Sequence, residues 1–289
     1  MRISLRRQKR VNRSMPVDFA LFLFLGCAGC FMAVPILYMI STALKPLDEM
    51  FLFPPTFIVR NPTIDNFYDL TRVFANSWVP FSRYLFNTFF VTFLGTAGHV
   101  ILASAAAYPL AKHDIPGKNV LFAMIIFSLM FATEVTSVPN YMTITWLGLL
   151  NSYGSLILPA FGASLGLFLM KQFMEQIPDS LVEAAKIDGA SEYRIFWQIV
   201  MPIVRPAWLT LIIFSFKGLW SGGGGNSTFV YSEQLKTMDA VFGQLLGGGF
   251  VMFGPTAAAA LMMMAVPITV FILTQSNVIE TMSTSGLKD

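Results

Sequence analysis

An all-α protein that threads a membrane six times is the fold class this sequence predicts, and three observations predict it. Charged residues fill only 12% of the 289 positions, roughly half the usual globular share, so a soluble fold would lack polar surface to cover itself. Apolar residues make up 55% and the mean hydropathy is +0.64, a composition suited to the bilayer. Apolar residues also come in long unbroken runs. Leu121 to Phe131 lacks the two-residue alternation of a barrel strand, so the spans are helices.

A helix of roughly 20 apolar residues crosses the hydrocarbon core. Six stretches meet that requirement: 17–44, 82–111, 119–140, 154–175, 207–221 and 256–276. The first follows a basic tail over 1–16 carrying Arg2, Arg6, Arg7, Lys9, Arg10 and Arg13 and no acid before them. Nucleic acid is the rival ligand for such a tail. An apolar run follows at once, however, and attraction to anionic lipid, on the order of 1 kcal/mol per basic residue, accounts for the tail without it. Membrane lipid is the expected partner, and the N-terminus is expected in the cytoplasm.

Cys27 and Cys30 stand in C-x-x-C spacing within that first run, which fits either a redox pair or plain packing. Ala28-Gly29-Cys30 also has the form of a lipoprotein signal, but the apolar character continues through Ile40, where a signal peptide would have ended. A retained helix is expected.

Pro46, Pro54, Pro55, Pro62 and Pro80 break helix across 45–81 and fit an external loop. The turn from Lys112 to Lys118 joins spans two and three on the inside. Six spans return the C-terminus to the cytoplasm. Inside then fall 13 of the 19 basic residues: the tail with Lys112, Lys118, Lys171, Lys186, Arg194, Arg205 and Lys288. Residues 222–255, opening with Gly222 to Gly225, lie outside. Small residues at four-residue spacing, Gly162 with Gly166 and Ala103 with Ala107, let helix backbones approach closely.

Polar groups at membrane depth mark candidate function. Glu134 lies about 15 residues into span three and Lys217 about 11 residues beyond Pro206, roughly 22 Å and 16 Å at helical rise. His99 falls near the middle of span two. A charge at a helix centre costs about 2.5–3.5 kcal/mol on insertion scales, so these side chains are expected to face a cavity or each other. Tyr141, Trp146 and Trp220 sit near the outer ends, where they either stack on sugar rings or occupy the interface.

The most specific segment is EAAKIDGASEYRIFWQIVMPIVRP, Glu183 to Pro206, within the inner loop 177–206. Ser180 and Glu183 have capping-box spacing, Gly189 suits a left-handed stop, and Ser191 begins a second helix that ends at Pro202. Two short helices joined at a glycine are predicted, with Ala184 and Ala185 open to a partner and Ile187, Tyr193 and Phe196 as apolar anchors.

The order Glu183-Ala184-Ala185, Gly189, Ile199 and Pro202 resembles the signature loop of ABC-importer permeases. Asp188, Ala190 and Phe196 match the carbohydrate-uptake group, and Met201 departs mildly from its leucine. Looser likeness extends through 112–118, Leu147 to Asn151 and Ser285 to Lys288. The resemblance implies a permease domain over 17–276 with a cytoplasmic tail over 277–289, in a bacterial inner membrane. It also implies a homologous permease subunit, two ATPase subunits holding ATP and Mg, and an extracytoplasmic solute-binding protein. Glu183, Ala184, Ala185, Asp188, Gly189, Ala190, Phe196 and Pro202 would form the ATPase-coupling surface. The path would carry a saccharide, which Lys217 marks as a candidate anion. Glu134, Lys217, Trp220, Tyr141 and His99 are the candidates along it.

Other chemistry finds less support in the residues. No Walker lysine follows the four glycines, so no nucleotide cofactor is expected on this chain. No His, Cys and Asp set has metal-ligand spacing. Gly162-Ala163-Ser164-Leu165-Gly166 matches the nucleophile-elbow pattern, but it lies in a membrane helix rather than a strand-to-helix turn. An intramembrane serine protease, a secondary transporter (whose inverted repeat is not evident) and an importer of an amino acid or polyamine are the rival readings.

Overall fold

The computed structural model describes residues 15–52, 56–75, 78–222 and 226–285. The basic tail before Met15, Pro54, Pro55, Gly223 to Gly225 and Lys288 lie outside the described residues. Twelve helices organise the rest. They are α1 (Met15–Leu44), α2 (Asp65–Ala75), α3 (Phe81–Lys112), α4 (Lys118–Leu129), α5 (Thr133–Trp146), α6 (Tyr153–Phe161) and α7 (Ser164–Glu175). Next come α8 (Asp179–Ile187), α9 (Glu192–Ile203), α10 (Arg205–Trp220), α11 (Met238–Leu246) and α12 (Phe253–Ser285). No strand occurs among the described residues.

Four stretches are long and apolar enough to cross a membrane: Pro16–Leu44, Phe81–Lys112, Tyr153–Glu175 and Phe250–Thr274. Counting each of two bent pairs as one span gives up to six. The third predicted span is not one continuous helix. It breaks at Met130 to Ala132, and α4 meets α5 at 113°. Ala132 is extended there (ψ 148°), a backbone choice that hydropathy does not register. The fifth also differs. α10 is 16 residues long, about 24 Å at helical rise. It follows α9 at a bend of 78°.

α3 is the central helix. It packs against α6, α7 and α10, while α12 lies against α1, α2, α10 and α11. The spacing of small residues on α3 makes this possible. A Cβ on Gly98 would fall on the Phe161 ring, and one on Gly95 on the Leu219 side chain. Ala103 and Ala107 are buried in the core shared with Met170, Met174, Val200 and Leu211. Although α1 touches α12, the most apolar stretch of α1 has no buried residue among the described residues, and Cys27 and Cys30 are exposed free thiols on it.

Candidate functional site

A cavity of about 430 Å³ opens between α3, α5, α6, α7 and α10. Its polar lining is His99, Thr136, Asn140, Ser155 and Ser215, set among Val91, Leu156, Phe214 and Phe229. Among the described residues, no Asp, Glu, Lys or Arg lines it. Such a wall offers hydroxyl, amide and imidazole groups for hydrogen bonding and apolar faces for stacking, without a fixed charge.

His99 is the best-anchored of these groups. The helix pauses between α6 and α7 at Gly162 and Ala163, and the Ala163 carbonyl, which accepts from the Gly166 amide at 3.3 Å, has a second lone pair to offer. His99 Nε2 lies 3.0 Å from that oxygen and Nδ1 lies 2.6 Å from Ser215 Oγ. A carbonyl only accepts, so Nε2 carries the proton and Nδ1 accepts from Ser215. Gly166 makes the room, since a Cβ there would strike the imidazole. The G-x-x-x-G spacing therefore seats a side chain at Gly166, whereas Gly162 meets nothing closer than the Pro159 carbonyl at 3.8 Å. Ser164 is bonded to Ser128 at 2.5 Å, away from His99, so the serine-protease dyad is not assembled.

The other path candidates fare differently. Tyr141 stacks on Phe229 (centroids 6.2 Å apart), a wall residue, and is partly exposed. Trp220 is 3% exposed, its Nε1 donates to the Met263 carbonyl at 2.7 Å, and its ring meets Phe89 and Phe216. Packing engages both its ring and its indole nitrogen. Glu134 and Lys217 are both exposed, and neither lines this cavity. They form no ion pair with each other among the described residues, and Lys217 instead borders an apolar groove with Phe216, Pro267 and Phe271. Thr136, Asn140, Ser155 and Ser215 are the residues that sequence reasoning missed. Each is a neutral polar side chain that becomes distinctive only when separate helices meet.

The loop 177–206 holds two helices at one end of α3. Gly189 stops α8 at φ +78°, and the Ala190 and Gly189 amides return to the Ala185 and Lys186 carbonyls at 3.0 Å each, which is a Schellman closure. Ser191 Oγ accepts from the Arg194 amide at 3.4 Å and caps α9. The predicted Ser180–Glu183 capping box does not form. Pro178 takes the cap position without a side-chain bond, the helix starts at Asp179, and Ser180 is already inside the first turn.

Glu183, Ala184, Asp188, Gly189 and Pro202 are exposed, and Ala190 is half-buried. Ile187 and Tyr193 project, being 86% and 75% exposed. Ala185 and Phe196 instead face inward and are buried in the core with Tyr108, Ile195 and Val200. These two hold the loop onto the bundle rather than offering a contact surface. From Phe196 to Val200 the helix loosens to π form, a bulge next to Pro202, which lacks an amide donor.

The loop is fastened to α3 by polar contacts. Glu192 Oε2 accepts from the Tyr108 hydroxyl at 2.8 Å, while Oε1 lies 2.7 Å from Lys186 Nζ and 3.4 Å from His113 Nε2. The hydrogen bond from Lys186, outweighing partial burial and aided by Tyr108 and His113, holds the Glu192 carboxyl well below the usual range, at about 2. Lys112 Nζ pairs with Asp179 at 2.7 Å and also donates to the Ile177 carbonyl. No group of three or more metal-ligating side chains occurs among the described residues.

A neutral polar cavity in a bundle of apolar helices, with a two-helix loop fastened to the central helix, defines a membrane transport subunit. The family described as "Binding-protein-dependent transport system inner membrane component" matches residues 100–278, and the chain belongs to it. It is similar to the sulfoquinovosyl glycerol transport system permease protein SmoH of Agrobacterium fabrum, 31% identical with 94% of each chain covered. Protein LplC of Bacillus subtilis is 35% identical over 71% of this chain and 67% of that one. The polygalacturonan/rhamnogalacturonan permease YtcP of the same organism is 30% identical over 71% and 69%. In fold the chain resembles a subunit of a crystallised bacterial ABC transporter involved in importing the acidic polysaccharide alginate. The TM-score is 0.79 at 21% identity, covering 92% of this chain and 99% of that one. The chain is thus a permease component of an ABC importer, not an enzyme.

Proposed function

We propose that this permease, paired with a homologous subunit, forms the path for an acid-bearing saccharide, driven by two ATPase subunits and fed by an extracytoplasmic solute-binding protein. The cavity carries this reading. It is lined by His99, Asn140, Thr136, Ser155 and Ser215 with no fixed charge, a wall that suits sugar hydroxyls. The solutes named for similar permeases support the acid group: polygalacturonan, sulfoquinovosyl glycerol and sn-glycerol-3-phosphate each carry a carboxylate, sulfonate or phosphate. Lys217, exposed on α10 outside the cavity, is the cation we assign to that group.

Both termini lie in the cytoplasm, and the exposed side of the loop, with Glu183, Ala184, Asp188, Gly189, Ile187 and Tyr193, contacts the ATPase. ATP hydrolysis takes place on that partner with Mg. ATP binding closes the ATPases, moves the loop and turns the cavity outward; hydrolysis resets it. Solute and nucleotide must each prefer one of the two states for the cycle to run.

The test is purification of the chain from its native host under mild detergent, followed by reconstitution with whatever accompanies it. Recovery of a second permease and an ATPase is expected, with oligogalacturonate stimulating hydrolysis more than the neutral oligosaccharide of equal length. Gly189→Val, which places a β-branched side chain at φ +78°, is expected to abolish stimulation while membrane insertion persists. A chain that emerges alone from several detergents overturns the reading.

A further inference from the structure

We infer that the Tyr108–Glu192 contact is the joint through which the loop moves α3, making Glu192 a positioning residue that acts on the cavity without touching solute. The inference rests on the loop's being the ATPase contact.

Glu192 is the first residue of α9, just beyond the Gly189 turn, and it lies outside the signature order read in the sequence. One carboxylate nonetheless joins three parts of the molecule. It reaches Lys186 in the last turn of α8, Tyr108 in the last two turns of α3, and His113 directly after α3. Tyr108 is 6% exposed, and its ring packs on His113 and Phe196 at centroid distances of 5.3 and 5.5 Å. Ring packing fixes the hydroxyl, and the hydroxyl meets the carboxylate. The loop's two helices therefore cannot shift together without either carrying Tyr108 or breaking this bond.

α3 then carries the displacement inward. Nine residues separate Tyr108 from His99, about 14 Å of continuous helix. His99 in turn ties α3 to Ser215 on α10 and to the Ala163 carbonyl between α6 and α7. Three walls of the cavity thus meet at one imidazole on the helix the joint controls. Coupling between sites needs such a contiguous, discrete element.

The test uses the reconstituted transporter with its ATPase, binding protein and solute. It reads two quantities: the yield of ATPase on pull-down and the ratio of solute-stimulated to basal hydrolysis. Glu192→Ala is expected to lower the stimulation ratio by about fivefold or more with ATPase yield unchanged. Tyr108→Phe, which keeps the ring and loses one hydroxyl, lowers it in the same direction. The double variant is no worse than Glu192→Ala alone, because both substitutions remove one contact. Glu192→Gln, which still accepts from Tyr108, recovers part of the ratio.

A wild-type ratio in Glu192→Ala, or additive losses in the double variant, overturns the joint. So does a loss explained wholly by lower ATPase yield. Should Glu192→Ala fail to insert, Tyr108→Phe decides alone: a reduced ratio supports the joint and an unchanged one overturns it. Gly189→Val separates the two readings. If it keeps full stimulation, the loop is not the ATPase contact and both fall. If it loses stimulation while the joint variants keep theirs, only the joint falls.

Discussion

The two ends of α3 are fastened by different chemistry. At the Phe81 end a Tyr84–Glu233 contact at 3.0 Å and exposed bonds from Arg83 surround a buried pair, Asn87 and Thr88, whose bonds go mostly to backbone. Asn87 is fully buried, its Nδ2 donates to the Gln234 and Lys236 carbonyls at 2.8 Å each, and its Oδ1 accepts from Tyr153 at 2.7 Å. Thr88 Oγ1 accepts from the Met238 amide at 2.9 Å, which ties α11 to the same turn. At the Lys112 end the bonds are ion pairs whose carboxylates face solvent: Glu192 is 49% exposed where it meets Lys186, and Asp179 is 78% exposed where it meets Lys112, itself 3% exposed. An orphaned buried polar group costs about 1–3 kcal/mol, whereas an exposed pair is worth about 0–1 kcal/mol. One end is an anchor, and the other can be released and remade cheaply. This asymmetry suits a helix driven from one end.

The sharpest way to break the comparison is at the anchor. Asn87→Ala takes the side-chain donor from the Lys236 carbonyl and one bond each from the Gln234 carbonyl and the Tyr153 hydroxyl, which keep Arg83, so a loss of about 2–3 kcal/mol is expected, read as thermal unfolding of the solubilised protein. A loss below 1 kcal/mol would falsify the anchor. Next comes the midpoint. Gly166→Leu drives a side chain into the His99 imidazole and displaces its bonds to Ser215 and Ala163. A cost of about 1–3 kcal/mol is expected from overpacking, together with reduced uptake by proteoliposomes. At the released end, Asp179→Asn is expected to cost less than about 1 kcal/mol, since Lys112 keeps the Ile177 carbonyl. Unfolding curves for the three variants should rank in that order.

Much of this division was present in the sequence, and the missing part has a common cause. Hydropathy runs located the membrane helices, and Gly189 announced its left-handed turn, because both signals are local. The Ser180–Glu183 box failed because Pro178 started the helix two positions earlier than that spacing required. Trp220 looked like an interface aromatic, yet its indole is spent on Met263, which lies 43 residues away. The cavity's Asn140, Ser155 and Ser215 are ordinary in their own helices. Only contact between helices distant in sequence makes them a wall, and hydropathy carries no record of that contact.

The smallest expected effect is also the one whose sign separates the two ends. Lys186, Tyr108 and His113 depress the Glu192 carboxyl to about 2 against an ordinary 4.5. Its contribution to holding the loop is therefore fully present above pH 4.5 and lost as pH falls toward 2. Asp239, on α11 beyond the other end of α3, is shifted the opposite way, because burial raises its carboxyl. Ionised Asp239 works against the packed state, and falling pH relieves that penalty as the carboxyl takes up its proton. Acidification should thus loosen the Lys112 end, while at the α11 end the relief of Asp239 opposes the loss of Glu233, whose carboxyl, despite its burial, is held low by bonds from Lys236 and Tyr84. Limited proteolysis of the solubilised protein from pH 7 to pH 3 reads both: cleavage in 177–206 rises below about pH 4.5, and cleavage around α11 rises less because the two carboxylates there work in opposite directions. Asp239→Asn should leave the loss of Glu233 unopposed and steepen the response of the α11 end, and Glu192→Gln should flatten the response of the loop. If both ends loosen equally on acidification, the chemistry of the fastenings is not what separates them.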